Sequence, residues 1–269
     1  MGAEVRDNTV SSLLFLGTGP GSPVPGRFCS SILLKSGGAC VLVDAGEPCS
    51  LSLRQRGIPI SDLDAVLVTH GHSDHTAGLP MLLQSAWLEK RRKLLPIYLP
   101  LELVDPLRAW LEAVSLPDKL LGFPLEFRPW HAGRRAQVAE GVDVRPFPTT
   151  HLEGLRRIID PAADGRFEVF GLEAECAGHR LVFSSDLGSP EDLRPVLADA
   201  CDLLVSELSH FSPEELFASL RSCRIGRLFL NHLSPEFIGR EKEILESARA
   251  ALPQIGETRV VSDGDTVLF

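Results

Sequence analysis

The stretch "VTHGHSDHTAGLP" at residues 68–80 packs three histidines and an aspartate into six positions: His70, His72, Asp74 and His75. A neutral imidazole nitrogen and a carboxylate oxygen are both good ligands for zinc and similar divalent ions. His70 and His72 are two apart, so on extended backbone they point the same way. Four such groups exceed what one open tetrahedral site requires, so the cluster predicts two metals. Its flanks, "AVLV" and "GLPMLL", are apolar, which argues against a polar surface loop. Further ligands must then come from elsewhere. Three places share one pattern, a β-rich run closing in His or Asp before a loop. They are "RPFPTTHLEG" with His151, "LVFSSDLG" with Asp186 and "LFLNHLSP" with His232. Two metals roughly 3.5–4 Å apart can activate water and steady both the attacking and the leaving oxygen. Asp74 is then also a candidate base.

These side chains need a scaffold that brings distant strand ends together. Short apolar or alternating runs predict strands at 11–19, 30–37, 40–46, 65–70, 95–100, 123–129, 142–147, 179–186, 202–208, 227–232 and 258–269. Helices are expected at 76–93, 103–115, 190–199, 213–222 and 236–250. Pro190 and Pro213 each follow a serine, the cap-then-proline signal of a helix start. Sheets interleaved with helices over two similar halves imply a layered α/β arrangement. "GTGPG" (17–21) lacks the Lys-Ser/Thr of a phosphate loop and reads as a tight turn beside the metal site.

The 269 residues allow an ample core, and 44% hydrophobic with 23% charged residues describes a soluble globular chain. No apolar stretch is long enough to span a bilayer. The first residues lack a basic region followed by an apolar one, so a cytoplasmic location is expected. The six cysteines form no CxxC pair and read as free thiols. A net charge of −9 disfavours general nucleic-acid affinity, which needs basic surface. The run Arg91-Arg92-Lys93 reads as a solvated face. Arg156 and Arg157 follow His151 closely and are candidates for meeting an anionic substrate.

HxHxDH at 70–75, followed in order by His151, Asp186 and His232, resembles the metallo-β-lactamase superfamily. "LFLGTGPGSPVPGRFCSSILL" (14–34), "LVDAG" (42–46) and "LPIYLPLEL" (95–103) resemble its ribonuclease Z branch. The resemblance covers about residues 13–269 and implies a four-layered αββα sandwich, with 1–269 as one domain. It implies that His70, His72 and His151 hold one metal and Asp74, His75 and His232 a second, with Asp186 bridging. The ions would be zinc, with manganese or iron as alternatives, and the protein a homodimer. Enzymes of this branch carry a glutamate and a separate histidine for the leaving-group proton. Here Glu207 and His210 in "SELSHFSPEEL" fall close together. A carboxylate beside a histidine raises its basicity and fixes its tautomer. The competing reading is that His210 caps the helix at 213.

The leading expectation is a dinuclear metal-dependent hydrolase, a phosphodiesterase for a small diester or a single-stranded nucleic-acid end. A second is hydrolysis of a thioester, lactone or β-lactam on the same fold; lactonases of this superfamily often use a tyrosine, and this chain has only Tyr98. A third is a metal-binding biosynthetic accessory protein without turnover. Stable tRNA binding is not expected. The tRNA-gripping arm of bacterial ribonuclease Z lies between the positions of His151 and Asp186. Here that interval is short (186 − 151 = 35 residues).

Overall fold

The computed structural model describes residues 10–159 and 167–269. Among the described residues, fourteen strands form two seven-stranded sheets. The first contains β1 (Ser12–Gly17), β2 (Ser31–Ser36), β3 (Ala39–Val43), β4 (Ala65–Leu67), β5 (Leu95–Leu99) and β6 (Leu125–Pro129) in chain order, with β14 (Thr266–Leu268) added beside β1. The second contains β7 (Ala136–Ala139), β8 (Val142–Pro148), β9 (Phe170–Cys176), β10 (His179–Phe183), β11 (Cys201–Leu208), β12 (Ile225–Leu233) and β13 (Glu257–Val260) in order. Both sheets start as antiparallel meanders and turn parallel, the first at β3–β4 and the second at β10–β11.

Side-chain alternation explains the layers. Leu13 and Phe15 of β1 enter a core shared with Leu172, Leu203 and Phe229 of the second sheet. Leu14 and Leu16 point the other way, into a core with Leu53, Leu79, Leu82 and Leu83. The second sheet likewise turns Leu204 and Leu228 outward against Leu216, Phe217 and Ile244. Strands buried on both faces read as continuous apolar runs, which is how most of them stood out in the sequence. Helices α1 (Cys49–Gln55), α2 (Ser73–Thr76), α3 (Leu79–Leu88), α4 (Val104–Ala113) and α5 (Asp118–Leu121) accompany the first sheet. Helices α6 (Glu153–Ile159), α7 (Pro213–Leu220) and α8 (Glu241–Ala251) follow in the second half. This is the expected αββα sandwich.

Several expected elements change on folding. The helix expected at 76–93 is shorter, α3 at Leu79–Leu88, and is preceded by the separate turn α2, because the Gly78 amide docks on the Ala45 carbonyl and Pro80 opens a new first turn. Its charged end leaves the helix at Lys90, whose φ is +59°. Arg91 is not solvated there: it is 2% exposed and donates to the carbonyls of Ser61, Lys93 and Leu94. The helix expected at 190–199 becomes two short 3-10 turns, with Pro195 interrupting the amide ladder. The run at 258–269 divides into β13 and β14, which join different sheets. Between them Asp263 accepts bonds from the Thr18 and Phe28 amides and the Thr18 hydroxyl, tying down the 18–28 loop. The chain just after His151 forms α6, where no helix was expected; residues 160–166 lie outside the described residues.

Candidate metal centre

The site forms where strand ends of both sheets meet. His70 follows β4, His72 caps α2, and Asp74 and His75 lie in its single turn. His151 follows β8, Asp186 follows β10, and His232 lies near the end of β12. The Thr149 hydroxyl donates to the Asp186 carbonyl at 2.7 Å, and Asp192 accepts from both the amide and the hydroxyl of Thr150. These bonds strap the His151 turn to the Asp186 turn.

Two groups result: His70, His72, His151 and Asp186, and Asp74, His75 and His232, with ligand atoms within 4.8 Å of one another in each. Asp186 faces both. Its Oδ2 lies 3.8 Å from Nε2 of His70 and 3.6 Å from Nε2 of His151. Its Oδ1 lies 3.3 Å from Nε2 of His75 and 3.6 Å from Nε2 of His232. Nε2 of His75 is also 3.3 Å from Asp74. Nε2 of His70, Nε2 of His75, Oδ2 of Asp74 and Oδ1 of Asp186 are all buried without a hydrogen-bond partner. Orphaned buried polar atoms each cost roughly 1–3 kcal/mol. Four in one place, all lone-pair donors aimed inward, fit a bound divalent cation.

The electrostatics agree. Burial outweighs the pull of Asp186 and brings His151 down to about 4. Burial and the neighbouring His75 hold His70 well below its ordinary value. Burial would lower His75 too, but Asp186 and Asp44 raise it well above its usual range. Burial opposes ionisation of Asp186, yet His232 and His75 hold it far below the ordinary carboxylate value. His70 and His151 are thus neutral imidazoles beside ionised carboxylates, the forms that bind a cation, and the raised value of His75 reports the same carboxylate charge that a cation would meet.

Backbone geometry is special here. Asp44, Ser185 and His232 have φ of +57°, +54° and +50°, a left-handed conformation that non-glycine residues rarely adopt. Gly46 permits close approach, because a Cβ there would lie 2.2 Å from the Asp74 carbonyl oxygen. The "GTGPG" turn does lie beside the cluster: a Cβ on Gly21 would meet the Asp74 carboxylate at 3.5 Å.

Glu207 is 3% exposed and accepts from the amides of Leu187 and Ser209. Nδ1 of His210 is 2.8 Å from its carboxylate. The His210 ring stands 4.4 Å from that of His151 and 6.4 Å from that of His232. His210 does not cap α7; Ser212 does, in a reciprocal box with Glu215. Burial would lower His210, but the bond and charge of Glu207 raise it.

Arg156 and Arg157 lie on α6, one turn beyond His151. The exposed Arg157 guanidinium is 3.1 Å from Glu153 along that helix. Sequence reading missed Asp44, which accepts from Nδ1 of His75 at 2.7 Å. Its signal was present in "LVDAG", an acidic residue closing a buried strand. Tyr98 is in the core, stacked on Trp130 with its hydroxyl bonded to Arg128 and the Gln137 carbonyl.

The sequence model of the beta-lactamase superfamily domain matches residues 40–233, and the chain belongs to this superfamily. A ribonuclease Z of Bradyrhizobium sp. is 27% identical over 318 aligned positions, covering 94% of this chain and 98% of the relative. One of Exiguobacterium sp. is 27% identical, covering 90% and 94%. Among solved structures, the metallo-beta-lactamase fold protein YhfI of Bacillus subtilis superposes with a TM-score of 0.77 at 20% identity, covering 97% and 100%. The short form of human tRNase Z gives 0.70 at 21% identity, covering 95% and 98%. These superpositions show the shared fold. Family, relatives and ligand cluster together make the chain a metal-dependent hydrolase.

Proposed function

We propose that this hydrolase is a phosphodiesterase for a small diester or a single-stranded nucleic-acid end, working with two divalent ions, zinc first among them. The observation that carries the reading is the Glu207–His210 pair beside His151, a proton-transfer device next to the ligand cluster. His70, His72 and His151 would hold one ion and Asp74, His75 and His232 the other, with Asp186 shared. Such ions supply Lewis-acid charge to a phosphoryl oxygen and make water more acidic. Asp74 orients the attacking water. Glu207 holds Nδ1 of His210, so Nε2 is the atom left to give a proton to the departing oxygen. Arg156 and Arg157 are the candidate anchors for the substrate's second anionic group.

A folded tRNA is not the substrate on this reading. The alignment with the Bradyrhizobium ribonuclease Z spans 318 positions against 269 residues here, so at least 49 of them (318 − 269) are segments of that relative without a counterpart in this chain. Between His151 and Asp186, α6, β9 and β10 take up most of the interval. The net charge of −9 also opposes the many phosphate contacts that a folded RNA needs. The buried Tyr98 is unsuited to assist lactone opening. The test is a substrate panel on metal-analysed protein: bis-p-nitrophenyl phosphate, cyclic nucleotides, a β-lactam, a thioester and a tRNA precursor. Turnover of a phosphodiester is expected. Efficient precursor cleavage at physiological salt, or activity confined to the β-lactam or thioester, would overturn the assignment.

A further inference from the structure

Asp44, just after β3, and Thr69, just after β4, lie at the place where the first sheet turns from antiparallel to parallel. Between them they touch one histidine of each ligand group. Oδ1 of Asp44 accepts the Thr69 amide at 2.9 Å, and Oδ2 accepts from Nδ1 of His75 at 2.7 Å. The Thr69 hydroxyl is 3.1 Å and 3.0 Å from the two carboxylate oxygens. It is also 3.1 Å from Nδ1 of His70. All these groups are buried.

The proton count here closes in one way. A carboxylate offers acceptors only, and a hydroxyl carries one proton. If that proton goes to Asp44, the hydroxyl oxygen is left as an acceptor and Nδ1 of His70 must be the donor. The opposite arrangement turns the hydroxyl proton toward His70. It leaves the buried hydroxyl oxygen 3.0–3.1 Å from two carboxylate oxygens with no proton between them. A ring that offers one nitrogen to a metal has a single ring proton left to place, on the other nitrogen.

We propose that Thr69 is a positioning residue that relays the acceptor character of Asp44 to His70, so that one buried carboxylate fixes the Nδ1–H form of a histidine in each ligand group. In both rings Nε2 is then the metal-facing nitrogen. Both Nε2 atoms are buried without hydrogen-bond partners and face Asp186, at 3.8 Å and 3.3 Å. His75 receives its orientation directly and His70 receives it through one hydroxyl. The two ligand groups therefore share a support as well as a bridging carboxylate. Outer partners of this kind typically change metal affinity by about 10–100-fold when removed.

The inference rests on reading both groups as metal ligands, and the test separates the two claims. The ¹⁵N spectrum of the imidazoles in metal-free, full-length protein reports the His70 tautomer without any metal. Protonated Nδ1 and bare Nε2 are expected. Thr69→Val keeps the volume and removes the hydroxyl; it should mix or reverse the His70 tautomers and weaken zinc binding by about 10–100-fold in a chelator competition. Thr69→Ser should restore both, which a packing role for the threonine methyl would not do. An Nε2–H tautomer in the wild-type spectrum overturns the relay, and that spectrum decides even if Thr69→Val fails to fold. A folded Thr69→Val with unchanged tautomer and zinc affinity overturns it as well. The expected tautomer in a wild-type protein that binds no zinc would uphold the relay and sink the metal reading instead.

Discussion

The two candidate ligand groups use the same side-chain types but meet solvent differently. Asp74, His75 and His232 are all buried, at 7%, 1% and 3% exposure. His72 and His151 of the other group reach partial exposure, and His210 stands beside His151. The inner group is bound up with the fold: Asp44 holds His75, and His232 carries a left-handed backbone within β12. The outer group lines the approach. Burial is thus complete at the inner position, while the outer one is open through His72 and His151, so substitutions in the two should fail in different ways.

The strongest way to erase the difference is Asp186→Ala, because its two oxygens face one group each. Metal content should fall at both positions and turnover should drop to background, as read by elemental analysis and a phosphodiester assay. Retention of one full equivalent would show that Asp186 serves a single group. Next in size is His210→Ala, which should lower turnover by about 10²–10⁴-fold while leaving metal content intact. The loss should shrink for p-nitrophenolate, a leaving group that needs no proton. If the variant instead loses metal, His210 belongs among the ligands.

His75→Ala and His72→Ala sharpen the comparison directly. Each should lose one equivalent of metal. His75→Ala also leaves Asp44 buried without its imidazole partner, and breaking a buried pair costs roughly 3–5 kcal/mol. Its unfolding midpoint in urea should therefore fall clearly below that of His72→Ala when both are metal-free. Equal midpoints would mean that the inner group is no more part of the fold than the outer. The smallest effect is expected at Arg157, whose exposed pair with Glu153 is worth only about 0.3–0.5 kcal/mol. Arg157→Ala should leave stability nearly unchanged and raise KM only severalfold, as loss of an exposed anchor should; an unchanged KM would remove Arg157 from the anchors.

Much of the site was legible because its chemistry is local in the chain. HxHxDH announces itself by density, and His151, Asp186 and His232 by their common place after apolar runs. Glu207 and His210 fall three apart, so a single turn of backbone joins them. Asp44 was harder to see, since one acidic residue closing a strand has no distinguishing spacing. Arg91 was misread because a run of three cations ordinarily faces water, and nothing local shows the ring of carbonyls that encloses it.

By itself the sequence determined most of the element types, the layered class and the inventory of lone-pair donors. Apolar periodicity and strand-end polarity are short-range properties, so they survive in one dimension. The tertiary structure alone decided which donors share a group, that Asp186 faces both, and that Asp44 and Thr69 touch a histidine of each. Those choices depend on how two sheets stack and where each turns parallel. That packing brings strand ends more than a hundred residues apart to within about 4 Å, a proximity that no local pattern of residues encodes.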